Sequence, residues 1–344
     1  MSNLPTISII IPTLNAARTL GLCLESIREQ DYPKEQVEVL MADGGSTDGT
    51  QEVAERYRVD RILDNPLKTG EAGKAVAVDA SQHDILAFID SDNILESRDW
   101  LRKMVRPFED PEVVGAEPLM YTYRRKDSLI TRYSALMGLG DPLCYFIGNY
   151  DRYNWITGRW TDLSLRWEDR GGYLKVHLNE RHLPTMGANG FLIRRDAILG
   201  TSYKPYLFDI DVIYEMIQQR LDRFAKVKVG VVHLFAGDVG TFARKQQRRI
   251  RDFLYYQRQD MRKYPWGGTS KIKLLRFILS TVLVFPLLID ASRGSTKVED
   301  VAWFFHLPAC WITLGVYGGE FLLDRLTGGR AALSRVQWTQ MGGR

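Results

Sequence analysis

Phe88-Ile89-Asp90-Ser91-Asp92-Asn93 decides the fold of this chain. The apolar run Ile85 to Ile89 leads into two carboxylates spaced i, i+2, with an amide directly after them. Such a run reads as a buried parallel strand. The carboxylates then stand at its C-terminal end, where open α/β sheets bind their ligands. Two hard oxygen ligands at one strand end suit Mg2+ or Mn2+ carrying a diphosphate. In isolation an Asp-X-Asp triplet is also a common solvated turn with an Asx cap, so the reading depends on what lies upstream.

Upstream, strand and helix alternate. Ile7 to Ile11 is a β-branched strand closed by Pro12-Thr13-Leu14-Asn15, and Ala16 to Gln30 carries Leu20, Leu24 and Ile27 at helical spacing. Val37 to Ala42 is a second strand, cut off by Asp43-Gly44-Gly45-Ser46-Thr47-Asp48-Gly49-Thr50, with a helix from about Thr50. The glycines of that loop permit close backbone approach, and Thr50 offers an N-cap. Arg61 to Leu63 is a short third strand and Gly70 to Ala80 a further helix before the strand Ile85 to Ile89. The alternation predicts an α/β fold with a doubly wound, mostly parallel sheet.

Ile9 to Asn15, Ala42 to Thr50 and Asp90-Ser91-Asp92, in this order and spacing, closely resemble the nucleotide-binding half of the family 2 glycosyltransferases over roughly the first 120 residues. The resemblance implies a GT-A fold that binds a nucleotide-diphospho-sugar. It implies donor-binding roles for Pro12, Thr13, Asn15, Asp43, Lys74, Asp90, Ser91 and Asp92, with Mg2+ or Mn2+ on Asp90 and Asp92. Asp43 is then the residue that hydrogen-bonds the base, often uracil, which favours a UDP- over a GDP-sugar. The second Asp common in that motif is Gly44 here, which leaves the base open. Lys74 fits a point charge on a donor phosphate and equally a solvated lysine at a helix start.

The net charge of +4 is mildly basic, and no nucleic-acid-binding motif is present. This balance suits a protein lying against an anionic leaflet or gripping diphosphates. Cys23, Cys144 and Cys310 are scattered and odd in number, which fits a reducing cytosol rather than a disulfide framework or zinc site. No signal peptide is read at the N-terminus.

The middle of the chain is less regular. Tyr121 to Lys126 is a basic-aromatic cluster, and the apolar stretch Thr131 to Asn149 reads either as a shelf at a membrane surface or as ordinary packing between the two halves. Trp155, Trp160 and Trp167 receive no role. Met186 to Arg195 resembles the family's strand before the acceptor site, with Asn189 as a polar wall of the pocket. Phe208-Asp209-Ile210-Asp211 stands where the family often has a Glu-Asp pair. This makes Asp209 the general base and Asp211 its companion on the acceptor side. From the residues alone, both Asp side chains also suit the start of a helix over Val212 to Arg223. His233, at the end of a strand Val227 to Leu234, is an optional third metal ligand or a packed histidine. Gln246 and Arg249 match the Gln-X-X-Arg part of a pattern in processive and membrane-bound relatives, with Ile250 where a Trp is usual. The match implies contact with the acceptor or the diphosphate. An amphipathic basic helix facing anionic headgroups is the alternative.

Towards the C-terminus two apolar stretches follow, Phe277 to Ile289 and Val301 to Gly319. Lys271, Lys273 and Arg276 precede them and Arg325, Arg330 and Arg335 follow, so the positive-inside rule puts both flanks in the cytoplasm. The expectation is a membrane-associated helical hairpin, transmembrane or re-entrant. Two interface helices lying flat, or a soluble helical subdomain, are the alternatives. The expected division is a glycosyltransferase domain over 1–265, split into a nucleotide-sugar half 1–120 and an acceptor half 121–265, then a membrane region 266–344.

Together these features imply a metal-dependent, inverting glycosyltransferase attached to the membrane with its catalytic domain in the cytoplasm. The implied acceptor is a lipid-linked glycan. A polyprenyl-phosphate sugar synthase is the runner-up. Such mannosyltransferases often carry a third metal-binding side chain two residues past the second Asp, where this chain has Ile94, with Asn93 as the candidate substitute ligand. A nucleotidyltransferase would need a basic Gly-rich signature where Pro12 to Asn15 stand. A non-catalytic membrane scaffold would not need Asp90, Asp92 and Asp209.

Overall fold

A computed structural model of the chain describes residues 4–265 and 270–332. The chain divides into two compact units, 1–122 with 164–233, and 123–163 with 234–344. Residues 123–163 and 234–265, placed in the acceptor half by the expected division, cluster with the C-terminal helices.

The first unit holds one ten-stranded mixed sheet. Its strands are β1 (Ile7–Thr13), β2 (Val37–Asp43), β3 (Arg61–Asp64), β4 (Ile85–Phe88), β5 (Asn93–Leu95), β6 (Gly115–Tyr121), β7 (Arg166–Asp169), β8 (Tyr173–His177), β9 (Phe191–Arg194) and β10 (Arg223–His233). Their order is β3-β2-β1-β4-β9-β6-β10-β8-β7, with β5 on β10. The run β3-β2-β1-β4 is parallel throughout, as its apolar strands alternating with helices require. β6 also runs parallel to β10, and β9 joins antiparallel between β4 and β6. The first helices of this unit are α1 (Ala17–Arg28), α2 (Thr50–Arg56), α3 (Gly70–Ala80) and α4 (Trp100–Val105). Ile9, Ile11, Leu24, Ile85, Trp100 and Leu192 lie in the main apolar core.

β10 carries one extra residue. It pairs Val227 with Pro118 and Gly230 with Met120, so three steps on β10 match two on β6. This is a β-bulge. Glu96 Oε1 accepts from Gly230 N at 2.6 Å, its Oε2 accepts from Thr122 Oγ1 at 2.7 Å, and Trp100 Nε1 donates to Gly230 O at 2.7 Å. A Cβ at Gly230 would run into Thr122 Oγ1, so only glycine fits there.

The second unit is helical. Its first helices are α5 (Leu129–Met137) and α6 (Pro142–Ile147), so the stretch Thr131 to Asn149 resolves into packed helices. Ile130, Tyr133, Leu136 and Met137 are in this unit's core, which favours internal packing over a surface shelf. In chain order the first unit contributes α7 (Arg195–Leu199) and α8 (Asp209–Gln218) next. The second unit then continues with α9 (Val239–Arg258), α10 (Lys271–Leu283), α11 (Phe285–Lys297) and α12 (His306–Leu326). α8 begins earlier than predicted and ends before Arg223, which instead opens β10.

The expected hairpin differs in its first arm. α10 and α11 meet at 89°. The break has a sequence cause in Pro286, which lacks an N–H and whose ring clashes with the carbonyl four residues back, so α10 cannot run on. Val301–Leu326 is the one described segment long and apolar enough by itself to cross a bilayer. Arg335, one of the expected basic flanks, lies outside the described residues.

Candidate active site

The Asp-Ser-Asp motif sits as predicted, immediately after β4 and before β5. Ser91 and Asp92 form the turn between them, and Asn93 N donates to Asp90 O at 2.9 Å. Asn93 is fully buried and ties the turn together. Its Oδ1 accepts from Asp90 N at 3.1 Å, and its Nδ2 donates to Asp92 Oδ1 at 3.2 Å and Asn189 Oδ1 at 3.0 Å. Its amide is thus a brace rather than a substitute ligand. Asn189, at φ 54°, donates from Nδ2 to the Tyr121 hydroxyl at 3.2 Å. Asn tolerates this left-handed conformation better than most side chains.

β5 pairs with β10 so that Asn93 stands opposite His233. His233 Nε2 comes within 3.6 Å of Asp92 Oδ2, and the Tyr121 ring lies 5.3 Å from the imidazole. Two carboxylates and an imidazole are a donor set that a divalent cation accepts. Among the described residues no three His, Cys, Asp or Glu side chains stand together as a metal site. The pair Asp92–His233 would leave most positions of a divalent cation to substrate phosphates and water.

Asp209 is the first residue of α8. Its Oδ1 accepts from Lys74 Nζ at 2.7 Å, and Lys74, buried on α3, also lies 5.4 Å from the centre of the Phe88 ring. The lysine expected beside the donor phosphates is therefore engaged with the candidate base. Burial, helped by the charges of Asp90 and Glu71, outweighs the pull of Lys74 and raises the Asp209 carboxyl to about 6. Burial disfavours the Lys74 ammonium, but Asp209 and Asp90 outweigh that and hold its pKa above the ordinary lysine value. Asp211, two residues on, is buried in the first turn of α8.

Gly187 makes room for this carboxylate. A Cβ on it would stand 2.5 Å from Asp209 Cβ, and its φ of 111° is itself a glycine conformation. Its N–H donates to Glu117 Oε1 at 3.0 Å, and Glu117 Oε2 takes Lys226 Nζ at 2.7 Å inside the sheet. Sequence reading missed Glu117 and Lys226, because a charged pair on adjacent core strands leaves no local pattern. Gly187 lies within a motif noted above, but nothing in the sequence joins it to Asp209.

Thr13 and Asp43 end the paired strands β1 and β2, opposite each other. Asp43 Oδ1 accepts from Thr13 Oγ1 at 2.8 Å and Ser46 Oγ at 2.6 Å. Its Oδ2 accepts from Gly45 N at 3.2 Å, Ser46 N at 2.9 Å and Gln51 Nε2 at 2.9 Å. An ionised carboxylate offers about four lone-pair sites, so these partners fill it. The carboxylate expected to read the base is committed to its own loop. Asn15 helps from the other side, accepting from Thr47 N at 2.9 Å and donating its N–H to Ser46 Oγ at 2.8 Å. Pro12 precedes Thr13 in β1 and packs near Gly73 of α3.

Burial raises the Asp43 carboxyl, but the donors from Ser46, Gln51 and Thr13 outweigh it and hold the carboxyl below its ordinary value. A depressed carboxyl stabilises the fold fully above its unfolded pKa, and that contribution is lost as pH falls through the folded value. Asp43→Asn is expected to cost about 1–3 kcal/mol at neutral pH, because an amide nitrogen then faces donors. The difference from the parent chain should shrink on acidification, as thermal melts across a pH series would measure.

Gln246 and Arg249 belong to the second unit. Gln246 Nε2 donates to Gly140 O at 2.7 Å, and Arg249 Nη1 donates to Gln246 Oε1 at 2.6 Å. The Tyr317 hydroxyl donates to Asp141 Oδ2 at 2.6 Å, and Arg249 stands 3.8 Å from the same carboxylate oxygen. This Gln-X-X-Arg segment locks the turn before α6 onto α9 and α12.

Residues 8–199 match the family model described as glycosyl transferase family 2, more than half of the chain. The chain belongs to glycosyl transferase family 2. Among curated relatives, this family 2 member is 30% identical over 145 residues to the glycosyltransferase AglE of Haloferax volcanii, covering 40% of this chain and 47% of AglE. It is 44% identical over 71 residues to a Methanococcus voltae protein, covering 20% and 22% of the two chains. That protein is named dolichyl N-acetyl-alpha-D-glucosaminyl phosphate 3-beta-D-2,3-diacetamido-2,3-dideoxy-beta-D-glucuronosyltransferase. The matches thus span less than half the length of these relatives. Among solved structures, the mannosyltransferase PcManGT from Pyrobaculum calidifontis, in complex with GDP-Man and Mn2+, aligns at a TM-score of 0.49 and 16% identity. That alignment covers 99% of this chain and 85% of PcManGT.

Proposed function

We propose that this family 2 transferase moves a sugar, with inversion, from a nucleotide-diphospho-sugar to a hydroxyl of a lipid-linked glycan. One observation carries the reading: a half-buried carboxylate, Asp209, paired with Lys74 at 2.7 Å and raised to about 6 by desolvation and the charge of Asp90. Asp90 and Asp92, with His233 beside Asp92, are the residues that would hold Mg2+ or Mn2+. That cation would neutralise the diphosphate as it leaves. The loop braced by Asp43, Asn15 and Thr13 would receive the nucleotide, with its backbone rather than the Asp43 carboxylate facing the base. UDP is the favoured base carrier on the resemblance of that loop alone.

Asp209 accepts the proton of the acceptor hydroxyl as its oxygen bonds the anomeric carbon, and the bond from that carbon to the diphosphate oxygen breaks with its electron pair leaving on the diphosphate. Lys74 keeps the carboxylate ionised and oriented. Asn189 lines the acceptor side, as does Asp211 on α8. Gln246 and Arg249 are assigned to acceptor handling on their sequence pattern. The lipid-linked acceptor is supported by the name of the Methanococcus voltae relative and by the helix long and apolar enough to cross a bilayer. In this reading the apolar helices attach the chain to the membrane, with its catalytic domain in the cytoplasm.

The test uses the purified full chain in detergent with UDP-, GDP- and dTDP-sugars, Mn2+ or EDTA, with and without polyprenyl phosphate. The expected result is Mn2+-dependent hydrolysis of one donor and no transfer to the bare lipid phosphate. Transfer to that phosphate, already ionised, would overturn both the acceptor class and the need for Asp209 as base.

A further inference from the structure

The elbow between α10 and α11 is built unlike a soluble helix pair. Val284, at the bend, has φ 63° and ψ −42°. A positive φ is a genuine outlier for a β-branched residue, and such strain persists only where surrounding structure holds it. Around it stand Val282 (56% exposed), Leu283 (65%) and Phe285 (68%), with Leu279, Leu288 and Ile289 also exposed. Single exposed apolar side chains are ordinary, but a contiguous set at one apex marks an interaction surface. The other sides of both helices are well packed, with Phe277, Leu287 and Ala291 buried in the cores of this unit.

The charges say what covers the apex. Residues 277–289 carry none, while Lys271, Lys273 and Arg276 stand at the start of α10 and Arg293 and Lys297 near the end of α11. Lys271, Arg276 and Arg293 are exposed. An apolar apex between two cationic ends complements the acyl boundary and anionic headgroups of one leaflet. The geometry excludes a straight crossing. Each helix has 13 residues, about 20 Å at 1.5 Å per residue, against ~30 Å of hydrocarbon. Meeting at 89°, the pair is a broken span or a re-entrant element and not a straight crossing.

α12 gives independent support. Its protein-facing side carries Glu320, which accepts from Gln247 Nε2 at 2.6 Å and Arg330 Nη1 at 2.9 Å, and Asp324, 2.9 Å from Arg258 Nη1. Gln247 and Arg258 lie on α9, a strongly basic helix that hydrocarbon would not accept. Trp311, Leu322 and Leu326 meanwhile leave an exposed apolar stripe on α12, and Val301 and Phe304 are exposed in the 3-10 turn just before it. One charged, protein-bound side and one apolar side describe a helix lying in an interface.

We infer that the helical unit is monotopic: the α10–α11 elbow dips into one leaflet of an anionic bilayer and crosses nothing. The inference rests on the membrane attachment proposed above and replaces the spanning hairpin with a wedge. The test adds the purified full chain to sealed phosphatidylcholine vesicles, with or without phosphatidylglycerol, and follows flotation. The parent chain is expected to float with the anionic vesicles. Leu283→Glu with Phe285→Glu is expected to weaken that binding about a hundredfold, since both side chains lose their burial in lipid. Both positions are exposed, and a carboxylate at position 285 would open α11 at its electropositive end, so circular dichroism and donor hydrolysis in detergent should be unchanged. Arg276→Glu with Arg293→Glu should abolish the preference for phosphatidylglycerol. Thr296→Cys, in the link between the apolar stretches, should react with an impermeant maleimide in intact vesicles, above the labelling of the parent chain.

Flotation that survives the double Glu variant, or a Thr296→Cys variant labelled only after lysis, overturns the wedge while leaving membrane attachment standing. No flotation of the parent chain overturns the attachment itself. A dimer in light scattering that the double Glu variant dissociates, with no vesicle binding, would assign the apolar face to a second copy and overturn the inference.

Discussion

Asp209→Asn is expected to lower kcat for transfer by ~10²–10⁴, the usual contribution of a positioned general base. The amide keeps the shape and an acceptor for Lys74, whose charge Asp90 still faces, so donor binding should persist. A calorimetric titration with the donor nucleotide beside a transfer assay separates the two. The pH profile carries a second signature. Asp209 works as the carboxylate, so kcat/KM should fall tenfold per unit as pH drops below about 6. Lys74 is what pulls that value down against burial and the charge of Asp90. Lys74→Met should therefore move the acidic limb to higher pH. An unmoved limb would mean that it belongs to another group.

Asp92→Asn is the second large effect. Loss of one electrostatic stabiliser of a developing charge costs ~10²–10³ in turnover. The same change should weaken Mn2+ binding by the isolated chain, visible in the electron paramagnetic resonance of free Mn2+ without any turnover. Raised Mn2+ should restore part of the activity, because Asp90 and His233 remain. A variant that binds Mn2+ and turns over like the parent would return the Asp-Ser-Asp motif to its bland reading as a capped turn. A parent chain with no donor chemistry at all would favour the scaffold alternative.

Much of this arrangement is legible in the sequence. β1, β2, β4 and α3 begin at the residues where apolar runs or helix signals start, because buried parallel strands and a Thr69 cap write themselves locally. Asp90, Asp92 and Asp209 stand out because their motifs are contiguous. Three features are not legible. The Lys74–Asp209 pair joins residues 135 apart, which no local window sees. The donors that fill Asp43 depend on how the loop to Gln51 folds back. The division into units follows packing of α9 against α12, not sequence order. The break at Val284 is within reach of the sequence, since Pro286 stands in a stretch that its apolar content alone presents as one helix.

The extra residue in β10 makes the site a matter of parity. Side chains alternate faces along a strand, yet Val227 and Gly230, three residues apart, pair with Pro118 and Met120 on one face of β6, so the bulge absorbs the odd residue. His233 follows it, and its meeting with Asp92 depends on that absorption as well as on its identity. A natural or designed chain that keeps the length of 227–233 but flattens the bulge would turn the imidazole away from the carboxylate. For this strand, spacing is the inherited trait to compare, and the bulge held by Glu96 is where that spacing is set.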